Sequence, residues 1–156
     1  MGKMGADEFR DYILGFIFFK FLSERLYAIA QNALEADGIQ YEDLDENNPD
    51  HKEIIDAVRT EAVDALGYHL NPSQLFDQIA KKIKADKDAF VIGDIQQLFS
   101  DIENSTRGEE SEDEFIHLFE DMDLNSSKLG KTPDQRNEVV KGIIKQLDEI
   151  DFQINE

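Results

Sequence analysis

Cysteine and tryptophan are absent from this 156-residue chain, and proline occurs only three times. Without cysteine there is no disulfide framework, no thiolate metal site and no cysteine nucleophile, a composition that suits the cytosol. Long apolar runs are also missing. The densest one, residues 12–19, is interrupted by Lys20 and is too short to span a bilayer. Residues 1–10 are followed by acidic and aromatic side chains rather than a small-residue cleavage site, so they do not read as a secretory signal. The nine glycines are scattered. They form neither GxGxxG nor GxxxxGK[ST], the two loops that bring backbone N–H groups onto phosphates. No G-x-S-x-G turn is present to expose a nucleophilic serine. Nothing among these motifs suggests a self-sufficient catalyst, and the expected setting is cytoplasmic with no membrane contact.

Basic residues are scarce as well. Lysine and arginine number 16 against 35 aspartates and glutamates, a formal charge of −19. A field of that sign repels nucleic-acid phosphates and favours solubility or basic partners. Any DNA contact must come from a local basic patch or from an assembly that carries positive charge elsewhere. What is present is apolar mass. Hydrophobic residues make up 40% of the chain, with phenylalanine at 11 positions, enough for one domain with a buried core.

The patterning is helical from end to end, and the expected fold is all-α, an irregular bundle of five to six helices in a single domain over residues 1–156. Residues 6–36 read as one long helix. Phe9, Ile13, Phe16 and Lys20 keep helical spacing, while Leu14, Phe18, Phe19 and Phe21 make it apolar nearly all round. Such a helix is central to a core or shared with a partner. Gly38 permits a stop, and residues 40–50 form an acidic loop. A second helix over residues 50–66 places Ile55, Val58, Ala62 and Leu66 on one face, with Gly67 beyond its end. Residues 68–70 form an extended link. Asn71-Pro72-Ser73-Gln74 then carries the marks of a helix start, ahead of a stripe of Leu75, Phe76, Ile79, Ala80 and Ile83. A fourth helix, residues 91–105, buries Ile92, Ile95, Phe99 and Ile102. Ser111-Glu112-Asp113-Glu114 is a capping box that opens a short fifth helix with Phe115, Leu118, Phe119 and Met122. Thr132-Pro133-Asp134-Gln135 opens the last one, where Val139, Val140, Ile143, Ile144, Leu147 and Ile150 recur at three- and four-residue steps. No alternating run ends in a hairpin turn, so no sheet is expected.

Few residues suggest chemistry. Asp121-Met122-Asp123-Leu124-Asn125 matches the first three ligand positions of a calcium-binding helix-loop-helix. The match fails where Ser126 replaces the turn glycine and Thr132 replaces the bidentate carboxylate, which leaves a solvated helix-end loop. The three histidines, His51, His69 and His117, have no zinc-ligand spacing. Two basic clusters stand out. Lys81, Lys82, Lys84 and Lys87 close the third helix, where cations suit the helix dipole. Lys128, Lys131, Arg136, Lys141 and Lys145 surround the start of the last helix, with Asp134 and Glu138 interleaved. A solvated face accounts for the second cluster, and phosphate contact from the 128–131 loop is the functional alternative.

Two segments carry a resemblance. The first is Gly2-Lys3-Met4 with Glu8-Phe9-Arg10-Asp11-Tyr12-Ile13-Leu14-Gly15-Phe16 and the residues to Ser23. The second runs over residues 105–152. It includes Gly108, Ser111-Glu112-Asp113-Glu114-Phe115, Leu118-Phe119-Glu120-Asp121-Met122-Asp123-Leu124, Ser127-Lys128-Leu129-Gly130 and Ile150-Asp151-Phe152. In this order and separation they resemble the N-terminal helical domain of the modification (methyltransferase) subunit of type I restriction-modification systems. The resemblance implies a parent subunit that methylates adenine N6 with S-adenosylmethionine. Its implied partners are a DNA-specificity subunit, a restriction subunit and DNA. It also implies that residues 1–156 are a piece of a longer chain whose catalytic, Rossmann-like part lies elsewhere. The Asn-Pro-Pro-Phe/Tyr motif that grips a flipped adenine in that part has no counterpart here, since Asn48-Pro49-Asp50 and Asn71-Pro72-Ser73 share only Asn-Pro. No catalytic or cofactor-binding residue is therefore expected in this chain. The implied role is assembly and DNA clamping, with Lys128, Lys131 and Arg136 as the candidate DNA or partner contacts. The competing reading is a stand-alone acidic interaction module or DNA mimic, supported by the −19 charge.

Overall fold

Aromatic and aliphatic residues at four- and three-residue steps bring the first helix into the middle of the molecule. The computed structural model describes residues 6–110, 112, 119 and 122–150. Among these residues it contains five α-helices and no strand: α1 (Ala6–Leu34), α2 (Pro49–Leu66), α3 (Phe76–Ala85), α4 (Ile92–Ser105) and α5 (Pro133–Asp148). None of these helices is long and apolar enough to cross a membrane. The expected short helix carrying Phe115 and Leu118 falls outside the described residues, although Phe119 and Met122 are buried.

α1 packs against α2, α3 and α5. Its inner face buries Tyr12, Phe16, Phe19, Leu22, Leu26, Ala30 and Leu34. Phe19 meets Phe76 of α3 at 5.7 Å between ring centroids and Phe99 of α4 edge-on at 6.0 Å. Phe99 in turn stacks on Phe119 at 3.9 Å. Each buried ring contributes about 1.5–3 kcal/mol of hydrophobic stabilisation, and the tilted contacts add somewhat to it. The outer face of α1 stays in solvent, with Leu14 53% and Phe18 39% exposed. The all-round apolar pattern thus divides into a core face and a free face.

Caps fix several of the helix ends. Asn48 accepts the Asp50 N–H, so α2 begins at Pro49, one residue earlier than its spacing predicts. It stops where Gly67 turns left-handed at φ +84° and donates to Val63 O. Thr132 Oγ1 accepts the Gln135 N–H ahead of Pro133, as its sequence predicts for α5. The Asn71-Pro72-Ser73-Gln74 start departs from expectation. Its Asn71 N–H does donate to Gln74 Oε1 at 2.8 Å, but the turn closes as a separate 3₁₀ element, Pro72–Gln74. Leu75 is extended and buries its side chain, and α3 restarts at Phe76. The α3 start is capped from outside: Ser23 Oγ of α1 accepts the Phe76 N–H at 2.8 Å. The acidic 40–50 segment also contains a 3₁₀ turn, Tyr41–Asp43, pinned by the fully buried Tyr41.

The irregular links are held by buried polar side chains. Tyr68 hydroxyl donates to Leu22 O at 2.7 Å, and Tyr41 hydroxyl donates to Leu70 O at 2.7 Å. Asn137 of α5 holds the 89–91 link by donating to Ala89 O and accepting the Val91 N–H, both at 2.8 Å. Buried backbone groups need such partners, because an unpaired one costs roughly 1–3 kcal/mol.

Candidate functional site

The candidate contacts lie on the loop before α5 and on its first turns. Leu124 and Leu129, both buried, anchor this loop to the core from either end. Tyr12 of α1 adds a hydrogen bond to Asp123 O at 2.5 Å. The Asp123 carboxylate accepts the Asn125 N–H at 3.0 Å, so it serves a local turn. Asp121, the first position of the partial calcium-loop motif, falls outside the described residues.

Gly130 lets the loop run close beneath α5. A Cβ there would stand 2.7 Å from Gln135 Cβ and 2.9 Å from the Arg136 backbone nitrogen, closer than real side chains approach. Arg136 turns back over the loop, with Nε donating to Gly130 O at 2.9 Å and a terminal nitrogen near Lys131 O at 3.4 Å. The Lys131 N–H donates to Gln135 Oε1 at 2.8 Å. The result is a clipped loop that presents the exposed Lys128 and Lys131 side chains beside the positive end of the α5 dipole. Part of Arg136's donor capacity is committed to carbonyls of the loop it supports.

The rest of that basic cluster does not share the surface. Lys141 is buried, donates to Lys87 O and pairs with Glu138 at 3.1 Å. Lys145 is exposed further along α5. Two lysines of the α3 cluster are also tied up, Lys82 paired to Asp94 at 2.6 Å and Lys84 to Asp148 at 2.5 Å. The Asp148 carboxylate holds the Lys84 ammonium above its ordinary range. These lysines join α3 to α4 and α5, a role beyond the dipole effect that their position suggests.

Lys20 is the residue that sequence reasoning treats as an interruption and the structure makes central. It is buried at the end of α5, donating to Leu147 O and Ile150 O. Its only signal in the sequence is a lysine in step with Phe9, Ile13 and Phe16. Nearby, a cavity of about 200 Å³ lies between α1, the 41–43 turn and α3, lined by Lys20, Ser23, Tyr27, Glu42 and Phe76 among others. Its volume is below the roughly 300–1,000 Å³ usual for cofactor-sized ligands. Burial and the neighbouring Glu42 carboxylate push the Tyr27 phenol up to about 12.

The histidines have separate surroundings. His51 Nδ1 accepts the Asp45 N–H at 2.9 Å. His69 is buried, with Nε2 at 3.0 Å from Asn71 Oδ1, and burial together with Arg59 lowers its pKa to about 4. His117 falls outside the described residues. Among the described residues no three histidines or carboxylates converge as a metal site would require.

Comparison with known proteins places this arrangement in context. The family model described as the HsdM N-terminal domain matches residues 1–147. The type I restriction enzyme MpnII methylase subunit of Mycoplasma pneumoniae is 31% identical over 154 residues, which cover 97% of this chain and 28% of that protein. The crystal structure of a type I restriction-modification system methyltransferase subunit from Streptococcus thermophilus matches with a TM-score of 0.72 at 26% identity. That match covers 96% of this chain and 31% of the other. The chain therefore spans less than a third of the length of either relative.

Proposed function

The chain belongs to the HsdM N-terminal domain family, and on that premise we propose that it assembles a type I modification enzyme and clamps DNA rather than performing catalysis. The methyl transfer, from S-adenosylmethionine to adenine N6, belongs to the remainder of the parent subunit. Its working partners are the specificity subunit, the restriction subunit and DNA. The observation that carries this reading is the match over residues 1–147, which ends within α5 and includes the whole clipped loop.

Within that role the 128–131 loop, backed by Arg136, is the point of contact with backbone phosphate or with an acidic face of a partner. A chain of net charge −19 requires such a contact to be local. Lys128 and Lys131 meet the requirement on a loop whose backbone is already fixed. Little conformational entropy is then lost on binding.

The test is charge reversal, Lys128→Glu with Lys131→Glu, in the full methyltransferase complex. Two lost phosphate contacts lower the salt slope of DNA binding by about 1.8 and weaken affinity across all sequences. An unchanged slope refutes the phosphate contact. A chain that instead displaces DNA from a DNA-binding partner by itself supports the acidic mimic reading.

A further inference from the structure

The cavity between α1, the 41–43 turn and α3 combines carboxylates with aromatic walls. The acids come from all three elements: Glu24 of α1, Glu42 of the turn and Asp77 in the first turn of α3. Glu42 Oε2 is buried and accepts no hydrogen bond. A buried carboxylate oxygen in that state favours any ligand that brings an N–H to it. The Tyr27 phenol reports the sign of the local field. Burial raises it first, and Glu42, Asp43 and Asp77 each raise it further, to about 12. Two lysines also line the cavity. Lys20 spends its ammonium on the Leu147 and Ile150 carbonyls and lies 5.4 Å from the centre of the Phe76 ring. Lys81 is exposed, so its head can turn outward to solvent.

Size and acceptor spacing narrow the occupant. The volume of about 200 Å³ equals roughly seven waters at about 30 Å³ each. That is ample for one long side chain and short of a cofactor. Among the described residues no three carboxylates or histidines converge tightly enough to hold a metal ion. The acceptors are instead spread around a space that a planar cation with several donors can fill. Tyr27 and Phe76 suit the faces of such a cation, and Leu75 suits its stem. We propose that this cavity receives one arginine side chain of a protein partner, its guanidinium donating to Glu42 and Asp77. The net charge of −19 favours the approach of a basic segment. Lysine fits less well, because one compact ammonium does not bridge carboxylates held on separate elements. Through Lys20 the cavity adjoins the C-terminal end of α5, whereas the 128–131 loop precedes its N-terminal end. The 16 residues of α5 keep the two regions about 24 Å apart at 1.5 Å per residue. The arginine site is therefore independent of the phosphate contact.

NMR titration of the isotope-labelled 156-residue chain with N-acetyl-arginine methylamide reads the site directly. Amide shifts are expected at residues 20–27, 41–43 and 75–81, saturating in the millimolar range of a single side chain. The lysine analogue binds at least about threefold more weakly. The neutral citrulline analogue does not bind. Glu42→Gln and Asp77→Asn keep the side-chain shape, leave the helical circular dichroism intact and each weaken arginine binding about tenfold. Lys81→Ala tightens it, since a competing cation is removed. No shifts at these residues, equal shifts with the citrulline analogue, or weaker binding in Lys81→Ala overturns the proposal. Tighter binding of acetate than of the arginine probe also overturns it. Assembly into the methyltransferase complex, read separately by sedimentation, must then shut out the probe, and this arm alone rests on the assembly reading. A complex that assembles and still binds the probe assigns the cavity to a free guanidinium compound and refutes the protein source.

Discussion

The Lys20 ammonium of α1 donates to two carbonyls at the end of α5, Leu147 O at 2.7 Å and Ile150 O at 2.5 Å. One buried cation therefore joins the first helix of the chain to the last. The carbonyl end of a helix carries partial negative charge, and its last carbonyls lack intrahelical donors. Lys20 places a positive charge at that end and gives Leu147 O a second donor beside the Ile150 N–H. Its nitrogen also lies 5.4 Å from the centre of the Phe76 ring, so α3 meets at the same point.

Replacing Lys20 with methionine keeps the apolar stem and removes the charge. Two charge-assisted hydrogen bonds are lost, the one to Leu147 O in the buried interior, although that carbonyl keeps the Ile150 N–H. The expected cost is about 2–4 kcal/mol. Urea denaturation at neutral pH measures it. A loss under about 0.5 kcal/mol, the scale of an ordinary surface substitution, would show that water replaces the ammonium without penalty.

Gly15 admits the Met122 side chain onto the backbone of α1. A Cβ at position 15 would stand 1.9 Å from Met122 Sδ and 2.9 Å from its Cγ. In an open helix Gly→Ala stabilises by up to about 1 kcal/mol. Here Gly15→Ala is expected to destabilise by roughly 1–2 kcal/mol, because the whole thioether must move. Met122→Ala loses stability alone, yet in its background the Gly15→Ala effect should reverse sign. A double-mutant cycle with no coupling between the two positions would sink the packing argument.

His69 sets an acid limit on stability. Its folded pKa is about 4, lowered by burial first and then by Arg59, against about 6.5 in the unfolded chain. Between these values the unfolded state binds more protons, so stability is complete above pH 6.5 and falls as pH drops toward 4. The contribution lost over that window is on the order of 3 kcal/mol. His69→Gln should flatten this part of the pH–stability curve relative to the parent chain. Identical slopes in parent and variant would place the acid sensitivity elsewhere.

Much of the fold is legible before any coordinates. Thr132-Pro133 starts α5 where its residues predict, and Asn48-Pro49 starts α2 one residue early. Caps are local, since a side chain bonds its own neighbouring backbone and needs nothing distant. The Asn71-Pro72-Ser73-Gln74 box shows where local reading stops. Its hydrogen bond forms as expected, but burial of Leu75 and a serine contributed by α1 decide that the α-helix begins afterwards at Phe76. The candidate site divides in the same way. Lys128 and Lys131 stand exposed together on one loop, as their spacing suggests. Lys141, in the same sequence cluster, is withdrawn to serve Lys87 O.

Periodicity and capping chemistry by themselves determined the all-α class and the succession of helices α1 to α5, while the family was legible as a resemblance carried by the two quoted segments. Helical spacing states the angle at which a side chain leaves its own axis, and that angle is a property of the local sequence. It does not state what approaches from the other side. Whether Lys20 lies in water or against α5, which face of α1 receives the core, and whether Phe18 is covered depend on elements far away in the chain. Leu147 lies 127 residues beyond Lys20. A lysine stem is apolar and its ammonium polar, so burial or exposure is settled only by the carbonyls that the tertiary packing brings within reach.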